Sequence, residues 1–265
     1  MYAIISDIHS NLEALTAAFE RIGAMGVTNV ICLGDVIGYG PDPEECIDII
    51  RERCRFTIRG NHDDALMGDA MDFNPIAREV IEGTRQLLRP GLFSSAAKKE
   101  RWAFLKNLEA TRREGTVLYA HGSPRDPIKE YVMRADVVFA PEKLQDIFSR
   151  IEHVCFVGHS HQPGVFVERR EGGRWVYEHQ APHEMGRDAT FQVGEQKILV
   201  NVGSVGQPRD QDPRSCFVVV EDDEKGRPVR IRFVRVEYDY GPTMSKIESI
   251  PWINNLCATR LEIGR

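Results

Sequence analysis

Five short apolar runs in the N-terminal part of this 265-residue chain each end in a polar motif, most of them flanked by glycine, and this arrangement limits the possible folds more than any other feature. Tyr2-Ala3-Ile4-Ile5 leads into Asp7-Ile8-His9, Val30-Ile31-Cys32-Leu33 into Gly34-Asp35, and Phe56 to Ile58 into Gly60-Asn61-His62-Asp63. Val117 to Ala120 leads into His121-Gly122, and Val154-Cys155-Phe156-Val157 into Gly158-His159-Ser160-His161. Short apolar runs bounded by turn residues read as buried strands. Five strand-end loops that share one chemistry need a sheet beneath them to gather them.

The shared chemistry is metal ligation. Asp7, His9, Asp35, Asn61, His121, His159 and His161 each offer an oxygen or a nitrogen. Carboxylate, imidazole and amide oxygen suit borderline divalent ions such as manganese, iron, zinc, nickel or cobalt, whereas a soft thiolate site needs clustered cysteines. None of the six cysteines joins these motifs. Two ions roughly 3.5–4 Å apart can clamp the attacking and leaving oxygens of an in-line displacement. Asp35 is taken as the bridge between them, using both carboxylate oxygens. For His159 and His161, period-two spacing points both side chains the same way if the chain is extended; on a glycine-flanked loop they are free to diverge.

In order and spacing, these motifs resemble the calcineurin-like metallophosphoesterases, a superfamily of phosphatases and phosphodiesterases, with the motif-bearing part running from Tyr2 to Pro163. The resemblance implies an α/β fold, a four-layered αββα sandwich of two mixed β-sheets flanked by helices. It implies two divalent transition-metal ions as cofactors, manganese foremost. Asp7, His9 and His161 would join Asp35 on one ion, and Asn61, His121 and His159 would join Asp35 on the other. The implied activity is hydrolysis of a phosphomonoester or phosphodiester by a metal-bridging hydroxide, with no covalent phospho-enzyme. His62 would act as a general acid or as an electrostatic stabiliser of the phosphoryl group, with Asp63 beside it to orient or charge the imidazole. The residues alone also allow His62 a supporting role, through a hydrogen bond to Asn61.

The chain departs from one branch of that superfamily. Serine/threonine protein phosphatases read G-D-x-x-D-R-G in the second motif, with the arginine gripping phosphate, whereas this chain reads Gly34-Asp35-Val36-Ile37-Gly38-Tyr39-Gly40. The grip must come from the ions, from Arg59, Arg78 or Arg209, or from backbone amides. Small phosphomonoesters, phosphodiesters and dinucleoside polyphosphates are the substrates this leaves, and the Gly-Tyr-Gly-Pro segment resembles the small prokaryotic branch. Asn11 and Tyr39 share the first two metal loops and are candidate substrate contacts. So is Arg209, which closes a glycine-rich segment from Asn201. Such a loop can turn N–H groups toward an anion, although glycine and proline are also ordinary turn formers.

A formal charge of −6 argues against an extended nucleic-acid footprint, which depends on clustered Lys and Arg, and leaves room for a small nucleotide-like substrate. Two rival readings keep the fold. A metal-dependent nuclease would add a basic, aromatic-lined groove, and a non-catalytic binding protein would normally have lost part of the ligand set, which this chain retains. The scattered cysteines read as reduced and buried. With no signal-like N-terminus and no long apolar run, the expected location is the cytoplasm, with no membrane partner.

The pattern elsewhere predicts helices over Leu12–Met25, from Pro43 to about Arg53 with Asp42 as cap, and over Pro141–Arg150. The segment 64–114 reads as mainly helical, with candidates at Pro75–Leu88 and Ser95–Leu108, and is the natural place for a cap over the site. After Gly164 the chain turns to strands and hairpins, and a tail helix at 251–262 is expected on an outer face. One domain spanning 1–265 accommodates all of this.

Overall fold

The computed structural model describes residues 1–265. All five apolar runs form strands: β1 (Tyr2–Ile5), β2 (Val30–Cys32), β3 (Phe56–Thr57), then, after a short β4 (Thr111–Glu114), β5 (Val117–Ala120) and β6 (Val154–Val157). The later half supplies β7 (Gly164–Glu171), β8 (Arg174–Gln180), β9 (Thr190–Gln192), β10 (Ile198–Asn201), β11 (Ser215–Asp222) and β12 (Pro228–Val236). They form two six-stranded sheets, in the orders β3-β2-β1-β11-β12-β9 and β4-β5-β6-β10-β7-β8. Both are mixed: β1, β2 and β3 run parallel, as do β5, β6 and β10, while the remaining pairings are antiparallel.

Alternation along each strand builds the layers. Tyr2 and Ile4 of β1 meet Val154 and Phe156 of β6 in a core between the sheets. Ala3 and Ile5 face the other way, toward α1 (Leu12–Ala24) and α2 (Pro43–Arg53), while Cys155 and Val157 pack under a helix at the opposite surface. Strands covered on both faces read as continuous apolar runs, which is why these were visible in the sequence. The result is the αββα sandwich.

Several helices are finer than expected. α3 (Asn61–Met67) begins on Asn61 itself, so the third motif opens a helix rather than a loop. α4 (Pro75–Leu88) and α5 (Ala96–Lys106) follow within the segment 64–114. Leu105 of α5 packs with the first helical layer, and Ala77 and Val80 of α4 pack against Tyr39. α6 (Asp136–Phe139) and α7 (Pro141–Ser149) cover the second sheet, the latter through Leu144, Ile147 and Phe148. α8 (Gly241–Ser249) and α9 (Leu256–Ile263) join the Tyr39 cluster, so the tail lies beside the polar motifs. Asp42 makes no side-chain cap on α2; it pairs with Lys246 of α8 at 2.9 Å, and Lys246 also reaches Glu13 of α1 at 2.6 Å. No helix is long and apolar enough to cross a membrane.

The loops after β2 and β3 touch through glycine. Gly34 has φ +95°, and a Cβ there would lie 2.3 Å from the Gly60 nitrogen. Gly34→Ala combines a conformation alanine avoids with a backbone clash, and is expected to cost about 3 kcal/mol or more. Denaturant unfolding checks this; a variant within about 1 kcal/mol of wild type would show that the two loops part without cost.

Candidate metal centre

The strands that carry the motifs end at one edge of the sandwich, the carboxyl edge of parallel strands where open α/β sheets bind ligands. Backbone hydrogen bonds stitch the loops together. Asp7 N donates to Gly34 O, Ile8 N and His9 N to Asp35 O, and Gly206 N to Asp7 O. Nine non-glycine residues have positive φ, and seven of them, Asp7, His9, Ser10, Asp35, Tyr39, His159 and His161, lie in these loops. Aspartate and histidine tolerate this region better than most residues, yet each still carries strain. The left-handed turns also decide the question of His159 and His161: they lie on a loop and belong to different clusters.

The first cluster comprises Asp7, His9, Asp35 and His161, the second Asp35, His121 and His159. Within each, one ligand atom per residue lies within 4.8 Å of the others, and all are buried. Asn61 joins the second through Oδ1, 3.0 Å from His121 Nε2. Asp35 is the shared member. Its Oδ1 accepts the His62 backbone N–H at 2.8 Å. Its Oδ2 faces both sides, 3.6 Å from His9 Nε2 and 3.4 Å from His121 Nε2.

The imidazoles are held in one orientation by carbonyls. His9 Nδ1 lies 3.3 Å from Ile37 O, His121 Nδ1 2.9 Å from Leu33 O, and His161 Nδ1 2.5 Å from Gln207 O. With those protons on Nδ1, the Nε2 of each neutral ring presents a lone pair. His159 is reversed: Nε2 faces Lys129 O at 3.0 Å, which frees Nδ1. Outer hydrogen bonds of this kind orient metal-binding histidines. His9 Nε2 and His161 Nε2 then sit 3.1 Å apart with converging lone pairs. Such an arrangement repels unless a proton or a cation lies between, so the donor set fits a metal.

Electrostatics agree. Burial alone would raise the Asp7 and Asp35 carboxyls, but the facing imidazoles, His161 and His121 foremost, outweigh it and hold both well below the usual carboxylate range. Burial pushes His9 down and His159 down to about 3, leaving both neutral. His121 goes the other way: burial opposes its charge, but Asp35 and Asp7 outweigh this and raise it to about 9.

His62 lies beside the clusters, buried, its ring 4.9 Å from His9, 4.7 Å from Tyr39 and 5.0 Å from Phe73. Its Nδ1 has no hydrogen-bond partner, and burial lowers its pKa to about 4 despite Asp35. Asp63 does not orient this ring. Its carboxylate accepts backbone N–H groups from Gly60, Val36 and Ile37 at 3.0, 3.1 and 3.4 Å, pinning the second loop to the third.

The substrate candidates separate. Asn11 Oδ1 caps α1 through Ala14 N and accepts from Thr243, while Nδ2 donates to Gly206 O and Tyr238 Oη, so its side chain is committed to the scaffold. Arg59 is spent on Asp64 and the Lys106 and Leu108 carbonyls, and Arg78 on the Ala70, Met71 and Phe73 carbonyls. Arg209 remains at the centre: its guanidinium stands 5.5 Å from the Tyr39 ring centroid, Nη2 donates to Gln207, and Nε is buried without a partner. Two site neighbours went unnoticed in the sequence. Phe73 edges against His62, and Tyr131 stacks on His159 at 3.7 Å between centroids. Both come from segments with no motif, and nothing in their spacing marks them.

Comparison with known proteins accords with this geometry. Residues 1–225 match the family described as the calcineurin-like phosphoesterase superfamily domain. An uncharacterised protein of Methanocaldococcus jannaschii is 34% identical, with 100% of this chain and 98% of that protein covered. The crystal structure of a metallophosphoesterase from Sphaerobacter thermophilus is 31% identical, superposes with a TM-score of 0.78, and is covered over 100% of this chain and 99% of its own.

The raised His121 gives the metal-free protein a pH signature. Its folded pKa of about 9 exceeds the ordinary 6.5, so the stabilisation is fully present below pH 6.5 and lost as pH rises through about 9. The loss should be on the order of 3 kcal/mol. The difference in Tm between metal-free wild type and His121→Gln is expected to shrink across that window. A difference that stays constant would mean that His121 is not charged in the metal-free state.

Proposed function

The chain belongs to the calcineurin-like phosphoesterase superfamily, and we propose that it hydrolyses a small phosphomonoester or phosphodiester using two divalent ions, manganese foremost. One ion would be held by Asp7, His9, Asp35 and His161, the other by Asp35, Asn61, His121 and His159. The observation that carries this reading is Asp35 Oδ2, a single oxygen faced by the Nε2 atoms of both clusters. When bound, the ions lower the pKa of water toward neutrality and neutralise phosphoryl oxygens.

The protein's own groups complete the reaction. Water's oxygen bonds to phosphorus as the ester P–O bond breaks in line; the water gives up one proton and the departing oxygen takes up one from solvent, so the protons balance. Arg209, free of any carboxylate and braced over Tyr39, takes the phosphate grip that the missing Asp-Arg pair provides in protein phosphatases. His62 enters as a neutral N–H donor to a phosphoryl oxygen, because burial disfavours the imidazolium that proton donation needs. Asp35 would hold both ions, so Asp35→Asn is expected to reduce turnover more than Asn61→Ala does.

Chelated and manganese-reconstituted protein should be assayed on 4-nitrophenyl phosphate, bis(4-nitrophenyl) phosphate and single-stranded DNA. Manganese-dependent cleavage of an aryl ester, with DNA untouched, is expected. Cleavage of DNA alone would favour the nuclease reading, and no turnover on any substrate would favour a binding protein. The role of His62 is read from the leaving group. General acid catalysis contributes roughly 10²–10⁴-fold and matters most for basic leaving groups. His62→Asn is expected to slow nitrophenyl and alkyl esters by the same factor, with metal content unchanged; a selective loss on the alkyl ester would make His62 the acid.

A further inference from the structure

Beside the metal centre lies a cleft of about 590 Å³, within the range of small-molecule sites. It starts where the metal loops end. Gln162 and Pro163, directly after His161, line it, as does Val132, directly after the Tyr131 that stacks on His159. Arg209 belongs to both places, lining the cleft while its backbone N–H bonds His161 O at 3.2 Å.

The cleft is basic in an acidic protein. Arg134, Arg187, Arg209, Arg214 and Arg235 line it against Asp188, Asp210 and Asp212, in a chain whose formal charge is −6. Three of the arginines are paired: Arg134 with Glu184 at 2.8 Å, Arg214 with Asp212 at 2.7 Å, and Arg235 with Asp210. Arg187 and Arg209 have no such carboxylate. His179 also lines the cleft. Two guanidinium groups without a carboxylate, lining one cleft of basic character, point to an anionic ligand.

We propose that this cleft is a subsite for a second phosphate group, so that the substrate is a phosphoester whose leaving group carries its own phosphate. The proposal rests on the phosphoesterase reading above. The attacked phosphate lies at the metal centre and the second extends past Arg209 into the cleft, where planar guanidinium groups match phosphate bidentately. Arg187 and His179 discriminate for that second anion and take no part in bond breaking.

Flexible substrates test this without demanding a particular leaving-group shape. Manganese-loaded protein would be assayed on butane-1,4-diol bisphosphate against butyl phosphate, on the hexane-1,6-diol pair, and on 4-nitrophenyl phosphate as a substrate lacking the second anion. At least one bisphosphate is expected to exceed its monophosphate in kcat/KM by about tenfold or more, mainly through KM, as charge-assisted contacts to a second anion would give. The advantage should shrink with added salt. Arg187→Glu and His179→Ala should each bring the ratio toward one while leaving turnover of 4-nitrophenyl phosphate unchanged; Arg187 is exposed, so that variant is not expected to disturb folding. A ratio near one in wild type, or variants that slow every substrate equally, would overturn the subsite while leaving the phosphoesterase reading intact. Wild-type protein inactive on 4-nitrophenyl phosphate and on bis(4-nitrophenyl) phosphate as well would overturn both.

Discussion

Two carboxylates, Asp7 and Asp35, are sealed from solvent at the edge of a two-sheet sandwich, and most of the site's construction answers that one cost. An unpaired buried charge is far more expensive than a fold can usually bear. Here His161 and His121 face the carboxylates, and backbone amides finish the shell: His159 N donates to Asp7 and His62 N to Asp35. Neutral imidazoles whose lone pairs turn inward leave the carboxylate charge uncancelled, and this is what makes the place suited to cations. In their absence His121 takes up a proton, the nearest substitute available.

The loops achieve this density by giving up ordinary backbone geometry. Seven strained left-handed residues, and glycines pressed against neighbouring loops, let Asp7, Asp35, His159 and His161 turn back toward one another within a residue or two of the strand ends. Gly38 shows the tightness: a Cβ there would come within 2.5 Å of His62 Nδ1. Such strain persists only where the surroundings over-determine it. The short strands, buried on both faces and paired across two six-stranded sheets, provide that rigidity.

How much of this was legible in the sequence depends on whether a residue's partner lies nearby in the chain. Strand runs such as Val117–Ala120 and helices such as Pro75–Leu88 matched closely because burial and capping are local patterns. The candidate metal-ligating set was visible because chemistry and glycine mark its members. Long-range commitments were not. Asn11 shares a loop with His9 and reads as a free donor, yet it bonds Gly206 and Tyr238, far along the chain. Arg59 and Arg78 differ from Arg209 only in what folds against them. Tyr131 and the arginine cleft depend on segments brought together by β6, β8 and the loop after β10, and periodicity carries no trace of them.

The central claim is that Asp35 joins two ligand clusters into one two-ion centre. The most direct measurement is metal content per chain of fully chelated protein titrated with manganese, followed by calorimetry and confirmed by elemental analysis under saturating metal. Two ions per chain are expected in wild type, with both sites weakened together in Asp35→Asn because the shared oxygen is lost. A plateau at one ion under saturation, or an Asp35→Asn protein that binds two ions as tightly as wild type, would contradict the shared-carboxylate centre.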